Sequence, residues 1–205
     1  MNNIDYTEFE AKFYPVERHE YRKKLQEIGA KLVVPERKMR RAIAHHHNNP
    51  QIKATYLRVR DEGGIIRLSL KTHAMEEGSL SDQKEIDVEV SDYEKTVKLF
   101  ESLGFNFDTY QETLRETWEL EGAEIVIDTW PGLLTYSEIE ASSEEHVKEV
   151  ALKLGLNWDK KIITSALEIF MKVYHLTEKE ALKKTTQITF EQNPFENLKP
   201  DNSWI

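Results

Sequence analysis

Apolar and charged residues alternate in short stretches along this chain, and between them lie segments with an apolar residue every three or four positions. The first pattern marks half-buried strands and the second amphipathic helices. Strands are predicted over residues 4–13, 40–45, 55–60, 65–71, 84–90, 113–120, 123–128 and 135–141. Asp61-Glu62-Gly63-Gly64 between the third and fourth is a hairpin signal. Helices are predicted over 16–28, from a Ser91 or Asp92 cap to about Leu103, from Ser142-Ser143 toward Leu154, and over 161–174. Pro15 suits a first helical turn, and Gly29, Gly104 and Gly155 lie where helices should stop. Residues 178–184 read as an exposed helical face, and the chain from about Thr185 as a loosely packed tail. This division gives a main domain over 1–176 and an extension over 177–205.

Successive strand residues point to opposite faces, so each strand sorts its side chains. Glu8, Glu10 and Lys12 share one face against Phe9, Ala11 and Phe13. Arg58 and Arg60 oppose Leu57 and Val59, and Arg67, Ser69 and Lys71 oppose Ile66, Leu68 and Leu70. Glu85, Asp87 and Glu89 oppose Ile86, Val88 and Val90. Arg115 opposes Leu114, Asp128 opposes Ile127, and Glu138 and Glu140 oppose Ile139. A solvated sheet face normally mixes in Thr, Ser and Gln, whereas here charges of both signs recur on nearly every strand. The helices need apolar surface to cover, and the opposite strand faces supply it. Helices outside and charges inside make a barrel with an ionic lumen. Burying so many charges is costly unless a ligand and a metal neutralise them.

Composition narrows the function. The 205 residues suffice for one sizeable domain, and the absence of Cys excludes disulfides and thiolate metal sites. A net charge of −9 argues against broad nucleic-acid binding, so no DNA partner is expected. No apolar run approaches the roughly 20 residues that cross a bilayer, and residues 1–5 lack the character of a secretion signal, so a cytoplasmic protein without membrane attachment is expected. His45-His46-His47, followed by Asn48-Asn49-Pro50, reads as a solvated loop rather than a metal cluster, since adjacent strand residues cannot all face one ion. Trp130-Pro131-Gly132 reads as a turn with Trp130 at a tunnel rim.

Glu8-Phe9-Glu10-Ala11-Lys12 resembles the ExExK signature of the CYTH superfamily, the triphosphate tunnel metalloenzymes. Five such residues are a weak signal alone; the order of the later motifs is more specific. Leu57-Arg58-Val59-Arg60 and Leu68-Ser69-Leu70-Lys71 resemble the family's basic hairpin, and Lys84-Glu85-Ile86-Asp87-Val88-Glu89 its acidic strand. Arg115, Ile127-Asp128 and Tyr136-Ser137-Glu138-Ile139-Glu140 resemble its last strands. The chain departs from the pattern at Gln83, where a basic residue is common, and at Asp87, often Glu.

The resemblance implies an α+β fold, an eight-stranded antiparallel tunnel with helices packed outside. It also implies an activity on triphosphates that depends on a divalent metal. Glu8, Glu10, Glu138 and Glu140 would be metal-side carboxylates, with Glu85, Asp87 and Asp128 as further candidates. Lys12, Arg58, Arg60, Lys71 and Arg115 would hold phosphates, with Lys84 standing in part for the missing basic residue. Lys12, Lys71, Glu8 and Glu10 form the expected catalytic set. Mg²⁺ and Mn²⁺ suit such oxygen ligands. The leading expectation is hydrolysis of inorganic tripolyphosphate or an organic triphosphate by a monomer or homodimer. Adenylyl cyclase chemistry, releasing pyrophosphate from ATP, is the alternative. A non-catalytic polyphosphate or nucleotide sensor is the alternative from another class.

Overall fold

The alternating segments assemble into one antiparallel sheet that curls until its two edges approach each other. The structure is a computed structural model and describes residues 7–45, 56–72 and 83–204. Along the chain these form β1 (Phe9–Phe13), α1 (Arg18–Glu27), β2 (Lys31–His45), β3 (Tyr56–Asp61), β4 (Ile66–Thr72), β5 (Lys84–Val90) and α2 (Tyr93–Ser102). Next come β6 (Phe107–Leu120), β7 (Ala123–Thr129), β8 (Tyr136–Ala141), α3 (Glu144–Lys153), α4 (Ala166–Tyr174), α5 (Glu178–Thr185) and β9 (Gln187–Ile188). The strand order is β1-β8-β7-β6-β2-β3-β4-β5, with β9 added parallel to β6. The two outer strands meet at one bridge, Thr7 to Lys84, where the Glu8 amide donates to Gln83 O at 3.0 Å. At its other end β1 bonds instead to Ile162, in both directions at 2.8 and 2.9 Å. His46, His47 and Thr55 lie outside the described residues, as do the first residues of the strand expected from position 4.

The apolar faces of β1, β3, β7 and β8 turn outward under helices, whereas Leu70 of β4 and Ile86 and Val88 of β5 are exposed among the described residues. Ala11, Phe13, Ile125, Ile127 and Ile139 pack beneath Tyr21 and Leu25 of α1 and Val147, Val150 and Ala151 of α3. Tyr93 of α2 covers Ala42 and Val59. Phe170 and Val173 of α4 join Tyr14, Trp130, Tyr136 and Phe195 in a third cluster at one end of the sheet.

Several boundaries differ from expectation for local reasons. The β2 strand starts at Lys31 rather than near Arg40, pairing with β6 through register shifts between Leu32 and Val34 and between Val34 and Arg37. Such bulges break alternation, which hides this stretch of strand from pattern reading. The β6 strand likewise extends back to Phe107. Helix α1 begins after Pro15: the Val16 amide is committed to Thr135 O at 2.8 Å, and Glu17 caps the helix through the Glu20 amide at 2.7 Å. Helix α4 begins at Ala166, because Ile162 is held against β1. The tail is not loose, since Ile188 and Phe195 are 0% and 2% exposed.

Candidate active site

The inward strand faces enclose a tunnel of about 1070 Å³. Glu8 just before β1, Glu10 and Lys12 of β1, Arg58 and Arg60 of β3, Lys71 of β4, Glu85 and Asp87 of β5, Arg115 of β6, and Glu138 and Glu140 of β8 all line it. The strands bring these residues together as the alternation requires. Two candidates lie elsewhere. Lys84 sits on the other face of β5, exposed and away from the lining. Asp128 is 1% exposed and sits behind Arg115, which donates to its two oxygens at 2.7 and 2.6 Å. Its visible role is to orient that guanidinium. Gln83, at the departure from the family pattern, is buried and donates through Nε2 to the Glu10 carbonyl at 2.8 Å, which ties β5 to β1.

The lumen is laced with ion pairs. Lys71 Nζ lies 2.7 Å from Glu85, 2.9 Å from Glu8 and 3.4 Å from Glu10. Burial acts to lower its pKa, but these carboxylates outweigh burial and hold it well above the ordinary lysine value. Lys12 contacts Glu10 and lies 3.8 Å from Glu138, with the same outcome. Arg58 meets Glu85 at 2.5 Å, and Arg115 meets Glu138 at 2.6 Å. Burial would raise Glu85, yet Arg58 and Lys71 hold it far below the usual carboxylate range.

Glu62, Arg37 and Arg41 are among the lining residues that escaped sequence reading. Glu62, in the hairpin turn, accepts from Arg60 Nε at 2.8 Å and lies 3.3 Å from Arg67. Arg37 also reaches this turn, donating to the Glu62 carbonyl at 2.9 Å. Arg41 faces inward beside them, 6% exposed, with Nη2 donating to Thr113 Oγ1 at 2.8 Å. The neighbouring Arg40 points outward to Asp61 and Glu94, so two adjacent charges hid the alternation that marks inward residues elsewhere.

Among the described residues no three carboxylates or histidines are gathered into a ready-made metal cage. The donor chemistry nevertheless fits a hard divalent cation. Glu140 is pushed up to about 8 by burial first and then by Glu8 and Glu10. Glu8 is pushed up to about 7 by burial, against the pull of Lys71 and with the repulsion of Glu85 and Glu10. Oxygen ligands that repel one another and are short of positive charge suit Mg²⁺ or Mn²⁺.

The CYTH domain model matches residues 7–174. The chain belongs to the CYTH family. A relative from Methanocaldococcus jannaschii, named "Putative adenylate cyclase", is 30% identical over 122 residues, which cover 55% of this chain and 69% of the relative. A Pyrococcus horikoshii protein of known structure has a TM-score of 0.64 at 23% identity, covering 78% of this chain and 98% of that one. A Hippeastrum structure described as a "Putative adenylyl cyclase" that "reveals a dominant" triphosphatase activity has a TM-score of 0.50 at 14% identity, covering 80% of this chain and 94% of that one. At these identities the two structures establish the shared fold. CYTH tunnel enzymes depend in general on a divalent metal. No helix among the described residues is long and apolar enough to cross a membrane.

Proposed function

We propose that this CYTH protein is an enzyme that hydrolyses a triphosphate drawn into its tunnel. The observation that carries this reading is the division of the lumen into two chemistries. A wall of buried arginines, Arg41, Arg58 and Arg60, faces strands that carry Glu8, Glu10 and Glu140, and Arg115 joins the two sides at Glu138. Phosphoryl transfer needs little covalent help from a protein; it needs alignment and neutralisation of charge on phosphate oxygens. Arg58, Arg60 and Arg115 supply planar, bidentate donors for those oxygens, and Lys12 and Lys71 supply mobile point charges. Asp128 fixes Arg115 from behind, so its guanidinium is oriented before a ligand arrives.

A divalent cation, Mg²⁺ or Mn²⁺, would be held by Glu8, Glu10 and Glu140 with Glu138, and would polarise the phosphorus and lower the pKa of water. The side chains on this side of the tunnel then have a second duty. Lys12 and Lys71 keep the carboxylates from repelling an incoming polyanion and move to its oxygens as it enters.

The cyclase reading has one observation in its favour, the name carried by the relative that is 30% identical. It needs adenine and ribose fixed so that a hydroxyl meets the α-phosphorus, a positioning demand worth several kcal/mol. Trp130, the aromatic candidate for holding a base, has the Arg41 guanidinium over its ring at 4.8 Å and Phe170 at its edge. That face is therefore already covered and closed to stacking, which favours hydrolysis. The test is to incubate the protein with Mg²⁺ or Mn²⁺ and either tripolyphosphate or ATP, then quantify orthophosphate, pyrophosphate and cyclic AMP. Orthophosphate from tripolyphosphate is expected. Cyclic AMP formed in step with pyrophosphate, with tripolyphosphate untouched, would establish the cyclase instead.

A further inference from the structure

Each of the other buried cations on the tunnel wall, Lys12, Arg58, Arg60, Lys71 and Arg115, has a carboxylate within 4.0 Å. Among the described residues Arg41 has none. It makes one hydrogen bond, to Thr113, and its Nε is buried without a partner. The indole Nε1 of Trp130, beneath the guanidinium, is also buried without a partner. Burial and then Arg58, Arg60 and Arg115 push the Arg41 guanidinium down to about 10, which leaves it charged at neutral pH. A desolvated cation among like charges weakens a fold. Its presence on a wall that also carries an unmet indole donor points to an acceptor that arrives from outside.

Arg41 also has a definite place along the tunnel. It stands opposite Arg60 on β3 and Gln111 on β6, whereas Glu10 and Glu140 belong to β1 and β8, with Glu8 just before β1. The charges acting most on it are the three arginines and Asp128, not those glutamates. Ile43, Trp130 and Phe170 continue the lining around it and contribute apolar surface.

We infer that Arg41 and the indole N–H of Trp130 form an anion subsite for the phosphate farthest from Glu8, Glu10 and Glu140, so that full grip requires three linked phosphates rather than two. This rests on the triphosphate reading above. The Trp130 ring supports the guanidinium, whose Cζ lies 4.8 Å from its centroid, and the free Nε offers a donor to a phosphate oxygen. A diphosphate seated near the glutamates leaves that subsite unused.

The test is calorimetric binding of inorganic tripolyphosphate and of pyrophosphate in chelator, where turnover does not interfere, to wild type, Arg41→Gln and Arg41→Lys. Arg41→Gln is expected to weaken tripolyphosphate binding about tenfold or more, to leave pyrophosphate binding unchanged, and to melt at or above the wild-type temperature. Arg41→Lys is expected to recover part of the tripolyphosphate affinity. Equal weakening of both ligands, or of neither, overturns the subsite while leaving the triphosphate reading in place. A lower melting temperature of ligand-free Arg41→Gln also overturns it, because Arg41 would then be structural. Wild type that binds neither ligand in chelator, and releases no phosphate from tripolyphosphate with Mg²⁺ or Mn²⁺, removes the triphosphate reading and the subsite with it.

Discussion

Glu140 and Glu8 keep their protons to about 8 and about 7, through burial first and neighbouring carboxylates after it. Between the ordinary carboxyl value of 4.5 and these values the folded chain binds more protons than the unfolded one, so their contribution to stability falls as pH rises. It is fully present below 4.5 and lost above about 8. In chelator, the melting temperature should therefore decline between about pH 5 and about pH 9. Glu140→Gln, which cannot ionise, should decline less, as scanning calorimetry will show; equal slopes would remove Glu140 as a source of the effect. Glu10→Ala and Glu138→Ala should each abolish turnover while the protein stays folded, checked by phosphate release and circular dichroism. Arg58→Ala should weaken triphosphate binding by about 1.5–3 kcal/mol, read by calorimetry. These residues were legible because each sits on a strand with clean alternation. Arg41 was not: Arg40 and Arg41 are adjacent, and only the fold shows that one points outward to Asp61 while the other points inward. Ion pairing was equally hidden, since no spacing rule places Asp128 behind Arg115.

At the scale of elements, the strands and helices with regular periodicity were legible, and those shaped by long-range contacts were not. The first half of β2 carries Pro35 and two register shifts, so only its pairing with β6 identifies it as strand. The segment after Thr185 shows no period because its order comes from packing on α4 instead. Phe195 lies 4.5 Å from the Phe170 ring and 4.7 Å from that of Tyr174, and Trp204 stacks on Tyr14 at 5.6 Å. Phe195→Ala should cost about 3–5 kcal/mol, as large-to-small changes at buried aromatic positions do, measured by urea unfolding. Gly132, at φ +86, faces the same ring: an added Cβ would lie 2.9 Å from that of Phe195. Gly132→Ala should therefore destabilise through both backbone strain and collision, and a wild-type melting curve would show that this corner is softer than its packing suggests.

For the molecule as a whole, charge is segregated: the net charge is −9, yet a cationic wall lies inside. Small polyanions that fit the tunnel should bind, whereas duplex DNA, which meets the outer surface, should not. Tripolyphosphate at 100 times its Kd should raise stability by about 2.7 kcal/mol. The closure of the sheet has a mechanical consequence as well. Seven neighbouring strand pairs are joined by ladders, that of β2 and β6 broken by register shifts, while among the described residues β1 and β5 share one bridge and then part around Ile162. What spans the remaining gap is largely ionic, Lys71 of β4 reaching Glu8, just before β1, and Glu10 of β1. Among the described residues this seam is thus fastened by one backbone bridge, by Gln83 and by side-chain charge rather than by a ladder. A polyanion that draws Lys71 away should loosen that fastening, and one that contacts both sides should replace it.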